Sequence, residues 1–228
     1  IYEEYIKVNK NAAENATTLF NLAQMQRKGN ANTAALQHYK EFVDGPHAVI
    51  EKKVEAYFWI SELSKKLGHK KDAEEATLSV LSYQRRLAAD NKTFANSYAA
   101  KIKFRIAEET FLQLKSISIP TDPSKQKKAV DHKLEVNNQL NQELSNTIKL
   151  DSAEEIVSSL HLLGLANEHL ATSIQSAPIP GNLKDDQKKL YKAEIDKISG
   201  PFFKKAEESY KLAVERGWDL EVYNEAYK

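Results

Sequence analysis

The sequence predicts an all-α protein built from stacked helix pairs, and three observations predict it. Only seven glycines and six prolines occur among 228 residues, while Ala, Leu, Lys, Glu and Gln, which enter helices at little cost, dominate. Apolar residues recur at three- and four-residue spacing over long stretches, and the alternation expected of strands is absent. One order of residue classes also returns along the chain. Leu19, Leu22 and Ala23 are followed by Ala35, Tyr39 and Phe42. Tyr57, Ile60 and Ser61 are followed by Ala73, Thr77 and Val80, and Leu160, Leu163 and Gly164 by Ala206, Tyr210 and Ala213. A helix pair of this kind cannot bury its apolar face alone, so neighbours must stack into a solenoid.

The elements follow in order. A first helix over about Ile1–Asn9 carries Ile1, Tyr5 and Val8 on one face. The next, over about Ala12–Lys28, stops at Gly29-Asn30. Asn32 is the expected N-cap of a short helix through Tyr39 and Phe42, which ends at Asp44-Gly45-Pro46. A helix over about Ala48–Leu67 ends at Gly68, a residue suited to the left-handed C′ position. Another carries Ala73, Ala76, Val80, Leu81 and Tyr83 towards Leu87, and a longer one spans about Lys92–Lys115. After the break at Ile119-Pro120-Thr121-Asp122-Pro123, Asp122 caps a helix running to Leu150, with Val130, Leu134, Leu140, Leu144 and Ile148 as its apolar line. Asp151 with Glu154 reads as a capping box for the helix that follows. That helix closes at Ala177-Pro178-Ile179-Pro180-Gly181. An extra helix bearing Leu183, Leu190, Ile195 and Ile198 leads to Gly200-Pro201, which opens the helix of Ala206, Tyr210 and Ala213. A last helix begins near Asp219, giving about ten in all.

Composition excludes several classes of function. Thirty-three basic against 32 acidic residues leave a net charge of +1, so no global field draws the chain to nucleic acid or anionic lipid. No stretch approaches the ~20 apolar residues that span a bilayer, so no membrane insertion is expected of this segment. With no cysteine, disulfides and thiolate metal sites are excluded. No phosphate-binding glycine loop, nucleophile elbow or H-E-x-x-H motif occurs. Of the histidines His38, His47, His69, His132, His161 and His169, only the last two share a helix, too far apart to ligate one metal without a third group. Glu154-Glu155 and Asp185-Asp186 read as helix-start charges favoured by the macrodipole. The basic run Lys125–Lys128 reads as a solvated helix start. Catalysis, cofactors and metals are therefore not expected.

These residues resemble the tetratricopeptide repeat, a helix pair of about 34 residues. The unit over residues 16–47 matches the family pattern at Leu19, Leu22, Ala23, Ala35 and Tyr39. The unit over 54–88 matches at Tyr57, Ile60, Ser61 and Ala73 and departs at Ser64, Thr77 and Val80. Segments 92–150 and 151–217 keep the first-helix signature (Ile106-Ala107; Leu163-Gly164) with overlong helices. The resemblance implies a right-handed superhelical solenoid that acts as a non-catalytic scaffold for a protein or peptide. In such arrays the first helix of each pair lines the concave face. Those positions here include Phe20, Gln24, Arg27 and Lys28, then Phe58, Glu62, Lys65 and Lys66, then Lys101, Phe104 and Glu108, and later His161. Aromatics flanked by lysine and arginine suit a peptide with apolar anchors and acidic neighbours, and the same phenylalanines suit inter-repeat core. The family's carboxylate clamp is matched at Lys101 and Arg105 but not at Phe20, Gln24 or Trp59, so that clamp is incomplete.

Two other functions stay open at this level. One is a purely structural spacer, favoured if the aromatics are buried in the seam. The other is a glycan or small-molecule module, favoured by a closed pocket at Trp59 or Trp218. Residues 1–228 read as one helical-repeat segment of a longer array, because Tyr5 and Val8 match the end of a preceding unit and Asp219–Lys228 the start of a following one. Such a segment is expected to be monomeric or to self-associate weakly through its ends. The Ala-Pro-Ile-Pro segment, the long helices and the Lys-Ala-x-x-x-Tyr-x-x-Ala helix are also loosely similar to large envelope-associated repeat proteins of predatory and gliding deltaproteobacteria. That similarity implies a periplasmic location and a motility or surface assembly, with the cytoplasm as the alternative.

Overall fold

The computed structural model describes residues 4–5, 8–9, 11–181 and 183–224. Among them are eight helices and no strand: α1 (Ala12–Lys28), α2 (Asn32–Asp44), α3 (Ile50–Lys66), α4 (Lys70–Ala89), α5 (Asn96–Ser116), α6 (Pro123–Ile148), α7 (Ala153–Gln175) and α8 (Asp185–Asp219). The helix expected over Ile1–Asn9 lies largely outside the described residues, as does the end of the one expected over Asp219–Lys228. The chain forms two compact units, Ile1–Ile102 and Lys103–Lys228.

Helix ends share one device. The backbone turns left-handed at Asn30 (φ 60°), Gly68 (79°), Asn91 (57°) and Glu221 (55°). At each, the next amide reaches back five residues: Ala31 N to Gln26 O, His69 N to Ser64 O, Lys92 N to Leu87 O and Val222 N to Gly217 O. This is the Schellman closure, which satisfies carbonyls a helix end would otherwise leave bare. It also sets boundaries that differ from expectation. Lys92 is used to close α4, so α5 starts at Asn96 instead. Residues 220–224 are used to close α8 and do not begin a new helix.

Three further expectations are corrected. Asn32 is the first residue of α2, which starts at Ala31 without a side-chain cap. The reciprocal Asp151–Glu154 box is absent: Asp151 is itself left-handed (φ 54°), and the Ser152 hydroxyl donates to the Glu155 carboxylate one residue further along. The predicted break at Gly200-Pro201 does not occur, and α8 runs for 35 residues with Pro201 inside it. Proline clashes mainly with the Cβ and N–H of the residue before it. Here that residue is glycine, so the helix loses a hydrogen bond and continues.

Contacts fix the direction of neighbouring helices. In the first unit Phe20 packs on Phe42 and Gln26 bonds His38, so α1 and α2 are antiparallel. Tyr57 stacks on Tyr83 and Ser61 bonds Thr77 at 2.7 Å, so α3 and α4 are antiparallel too. Thr77, which departs from the repeat pattern, is thus the partner of Ser61, which matches it. In contrast, Gln24 bonds Glu55 and Arg27 lies over Trp59, both indices rising, so α1 and α3 run parallel. The core of this unit is Phe20, Ala23, Ala35, Leu36, Tyr39, Phe42, Ala56, Ile60 and Leu63. Ala23, Ala35 and Ala56 are fully covered, as small residues must be where ridges enter grooves.

In the second unit, Gln126 bonds the Pro178 carbonyl, Lys133 meets His169 and Asn137 meets Asn167, which makes α6 and α7 antiparallel. Only Leu140 and Leu144 of the expected apolar line of α6 are buried; the rest of its buried face includes Gln126, Lys133, Val136, Asn137 and Thr147. Tyr210 of α8 donates to Glu168 at 2.5 Å, and Asn224, just past the end of α8, donates to Ser158 at 3.3 Å, so α7 and α8 are antiparallel as well. Their contact closes on Gly164. A Cβ there would stand 2.3 Å from Cε1 of Tyr210.

Gly164→Ala is therefore expected to destabilise the second unit by ~1–3 kcal/mol, measured as a lower urea midpoint. In a Tyr210→Ala background the same change should become neutral or mildly stabilising, because alanine is the better helix former once the ring is gone.

Candidate functional site

Parallel stacking of α1 on α3 brings two helix C-termini to the same end of the first unit. Both finish in basic turns, Arg27 and Lys28 on α1 and Lys65 and Lys66 on α3. Cations there are favoured by the negative end of each macrodipole. Lys28, Lys65 and Lys66 are exposed, and Arg27 is half-buried.

Arg27 is held in place. Its guanidinium carbon lies 3.6 Å from the Trp59 ring centroid, a cation–π contact between the two residue types that most often anchor interfaces. Arg27 Nε and the Tyr39 hydroxyl are both buried, and the two side chains are neighbours. Burial pushes the Tyr39 hydroxyl up, and the neighbouring guanidinium opposes the rise.

Glu55 ties the platform together. Its Oε1 accepts from Gln24 Nε2 at 3.0 Å and from Trp59 Nε1 at 3.3 Å. The Tyr98 hydroxyl also bonds this carboxylate. Burial first, and then the Glu55 charge, push Tyr98 up to about 12. Gln24, Glu55, Trp59 and Tyr98 thus form one bonded row across α1, α3 and α5 beneath the Arg27 guanidinium.

The other expected residues divide. Phe20 (3% exposed) packs on Tyr39 and Phe42, and Phe58 (7%) lies between Trp59 and Tyr98. Both are core. Glu62 is half-buried and Lys101 exposed, each with a partner. In the second unit, Phe104 packs half-buried on the Ala107–Leu140–Leu162 core. There Arg105 is half-buried, Glu108 exposed, and His161 sits 5.7 Å from the Tyr210 ring. Tyr98 was not singled out by the sequence, and Trp59 and Tyr39 were named there without their contacts to Arg27. Trp59 lies at a clamp position where the resemblance expects asparagine, and its pairing with Arg27 depends on how the helices stack. Open hollows of about 470 and 380 Å³ flank Tyr57 on α3 and α4, away from these residues. Among the described residues no cluster of His, Asp and Glu could hold a metal, and no helix is long and apolar enough to cross a membrane.

No protein-family model matches the chain, and no curated protein is significantly similar to it. Fold and site define the class: an all-helical protein of stacked helix pairs with a basic, aromatic-backed end.

Tyr98 holds its proton more tightly folded than unfolded, so it adds stability that is complete below its ordinary value of 10.0 and is lost as pH rises through about 12. Tyr98→Phe should shrink the loss of stability over that window in urea titrations. It should not abolish it, because Tyr39, Tyr57 and Tyr210 are also raised.

Proposed function

We propose that this chain is a non-catalytic scaffold, a segment of a right-handed tetratricopeptide-like solenoid, that binds an acidic segment of a partner protein. The observation that carries this reading is the guanidinium of Arg27 laid on Trp59 between the basic ends of two parallel helices. A carboxylate can take the edge of a stacked guanidinium in bidentate fashion, while the indole offers apolar contact beside it. The repeated helix-pair order supports the solenoid, and each pair leaves a face for its neighbour. A cell-envelope assembly is its proposed setting, supported by the loose similarity to envelope repeat proteins and by a chain without cysteine.

A second reading, the structural spacer, is favoured by one observation: Phe20 and Phe58 are spent on packing. The glycan reading is weaker, since Trp59 is covered by Arg27 and Trp218 is 67% exposed, not enclosed.

A short fluorescein-labelled peptide of alternating Glu and Leu distinguishes the first two readings by fluorescence anisotropy. Binding is expected to weaken about tenfold, or ~1.4 kcal/mol, in Arg27→Ala and in Trp59→Ala, and to weaken further with added salt. A folded wild-type protein that ignores this peptide at millimolar concentration leaves the spacer reading.

A further inference from the structure

Three helices of the second unit converge on a buried lysine. Lys133 of α6 is 2% exposed. Its Nζ donates to the Leu114 carbonyl at 2.9 Å and lies 3.1 Å from His169 Nε2 on α7. Leu114 is in the last turn of α5, where carbonyls lack partners within the helix. The ammonium therefore caps α5 from a neighbouring helix, at the end where the dipole favours a cation. Around His169 are Ser173 Oγ at 3.4 Å and the Phe111 ring, T-shaped to it with centroids 6.3 Å apart, and the Lys115 ammonium lies over the Phe111 ring.

Among the described residues, the charges that act on this pair are positive. On α5 it is Lys115, on α6 Lys133 itself, and on α7 the imidazole when protonated. No carboxylate acts on either group. α8 meets α7 through Glu168 and His161, and Tyr210 holds the Glu168 carboxylate. Other histidines are placed the opposite way. His69 lies 3.9 Å from Asp72 and His132 3.6 Å from Glu135, each beside a carboxylate and not a cation.

We infer that the Lys133–His169 pair is an acid-sensitive latch, which holds α5, α6 and α7 together while it carries one positive charge and releases them when it must carry two. Near neutrality the ammonium donates and the imidazole accepts at Nε2, a tautomer with its proton on Nδ1. Protonation of His169, which is half-buried, removes that acceptor and sets two cations at hydrogen-bond distance, with the Lys133 side of the pair covered. Burial, then Lys133 and Lys115, hold His169 below its ordinary value of 6.5, with the Leu114 carbonyl opposing. A folded value below the unfolded one means that stability is full above 6.5 and is lost as pH falls below it. Release would free the C-terminal end of α5 and uncover the Phe111 face.

Hydrogen exchange of the whole chain, corrected for intrinsic rates, tests the latch. Between about pH 7 and about pH 5, amides of α6 and α7 should exchange about tenfold faster while α1–α4 stay within about threefold. His169→Gln should abolish the difference, and Lys133→Met should reduce it by removing the nearer opposing charge. Imidazole NMR titration of the wild-type protein gives a readout that needs no variant, with His169 expected to titrate below its ordinary value of 6.5. A His169 that titrates at or above 6.5, or an acid response that survives intact in His169→Gln, overturns the latch.

Discussion

Helix axes in this protein approach each other where side chains are smallest, and the remaining contacts take their positions from that. Ala23, Ala35 and Ala56 lie at the centre of the first unit with no surface left to water. In the second unit the same role falls to Gly164, Ala166, Ala206 and Ala213. Side-chain volume at such points sets interaxial distance. With backbones this close, larger residues on either side meet in defined pairs: Phe20 with Phe42, Tyr57 with Tyr83, Tyr210 with Glu168. The Arg27–Trp59 platform is a consequence of the same stacking, because only parallel neighbours bring one helix C-terminus beside the equivalent part of the next.

The two units solve the burial problem differently. The first is sealed largely by aromatics and aliphatics, with the Ser61–Thr77 bond as a polar exception. The second buries polar residues along α6, where Gln126, Lys133, Asn137 and Thr147 are covered. Most find partners: the Pro178 carbonyl, the Leu114 carbonyl, Asn167 and the Glu143 carbonyl. Satisfied polar groups of this kind fix register, since a slipped helix would strand them without bonds. They also make packing depend on charge state, as an apolar seam does not.

Caps and turns show how far local chemistry reaches. Asp122 before Pro123 starts α6 as its sequence dictates, accepting from the Ser124 amide. Gly68 ends α3 in the left-handed conformation that glycine adopts without strain. Asn30, Asn91 and Glu221 do the same with side chains that only tolerate it, so their closures carry a faint local signal. Gly200-Pro201 reads locally as a stop, yet α8 continues through it. Tertiary contact on both sides of the proline, at Ser199 and Ala206, outweighs one missing hydrogen bond.

Periodicity and composition by themselves determined that the chain is helical, roughly where most helices lie, and that small residues such as Ala35 and Gly164 sit at close contacts, because these follow from spacing along one helix. They did not decide whether Phe20 and Phe58 face a partner or the core, since an apolar residue on a helix suits either until its neighbour is placed. Nor did they single out Trp59 beneath Arg27, Tyr98 on Glu55, or Lys133 against His169. Those contacts join residues on different helices that lie 32, 43 and 36 positions apart in the chain. Which side chains meet across that distance depends on the direction and offset of packed helices, and only the tertiary structure supplies both.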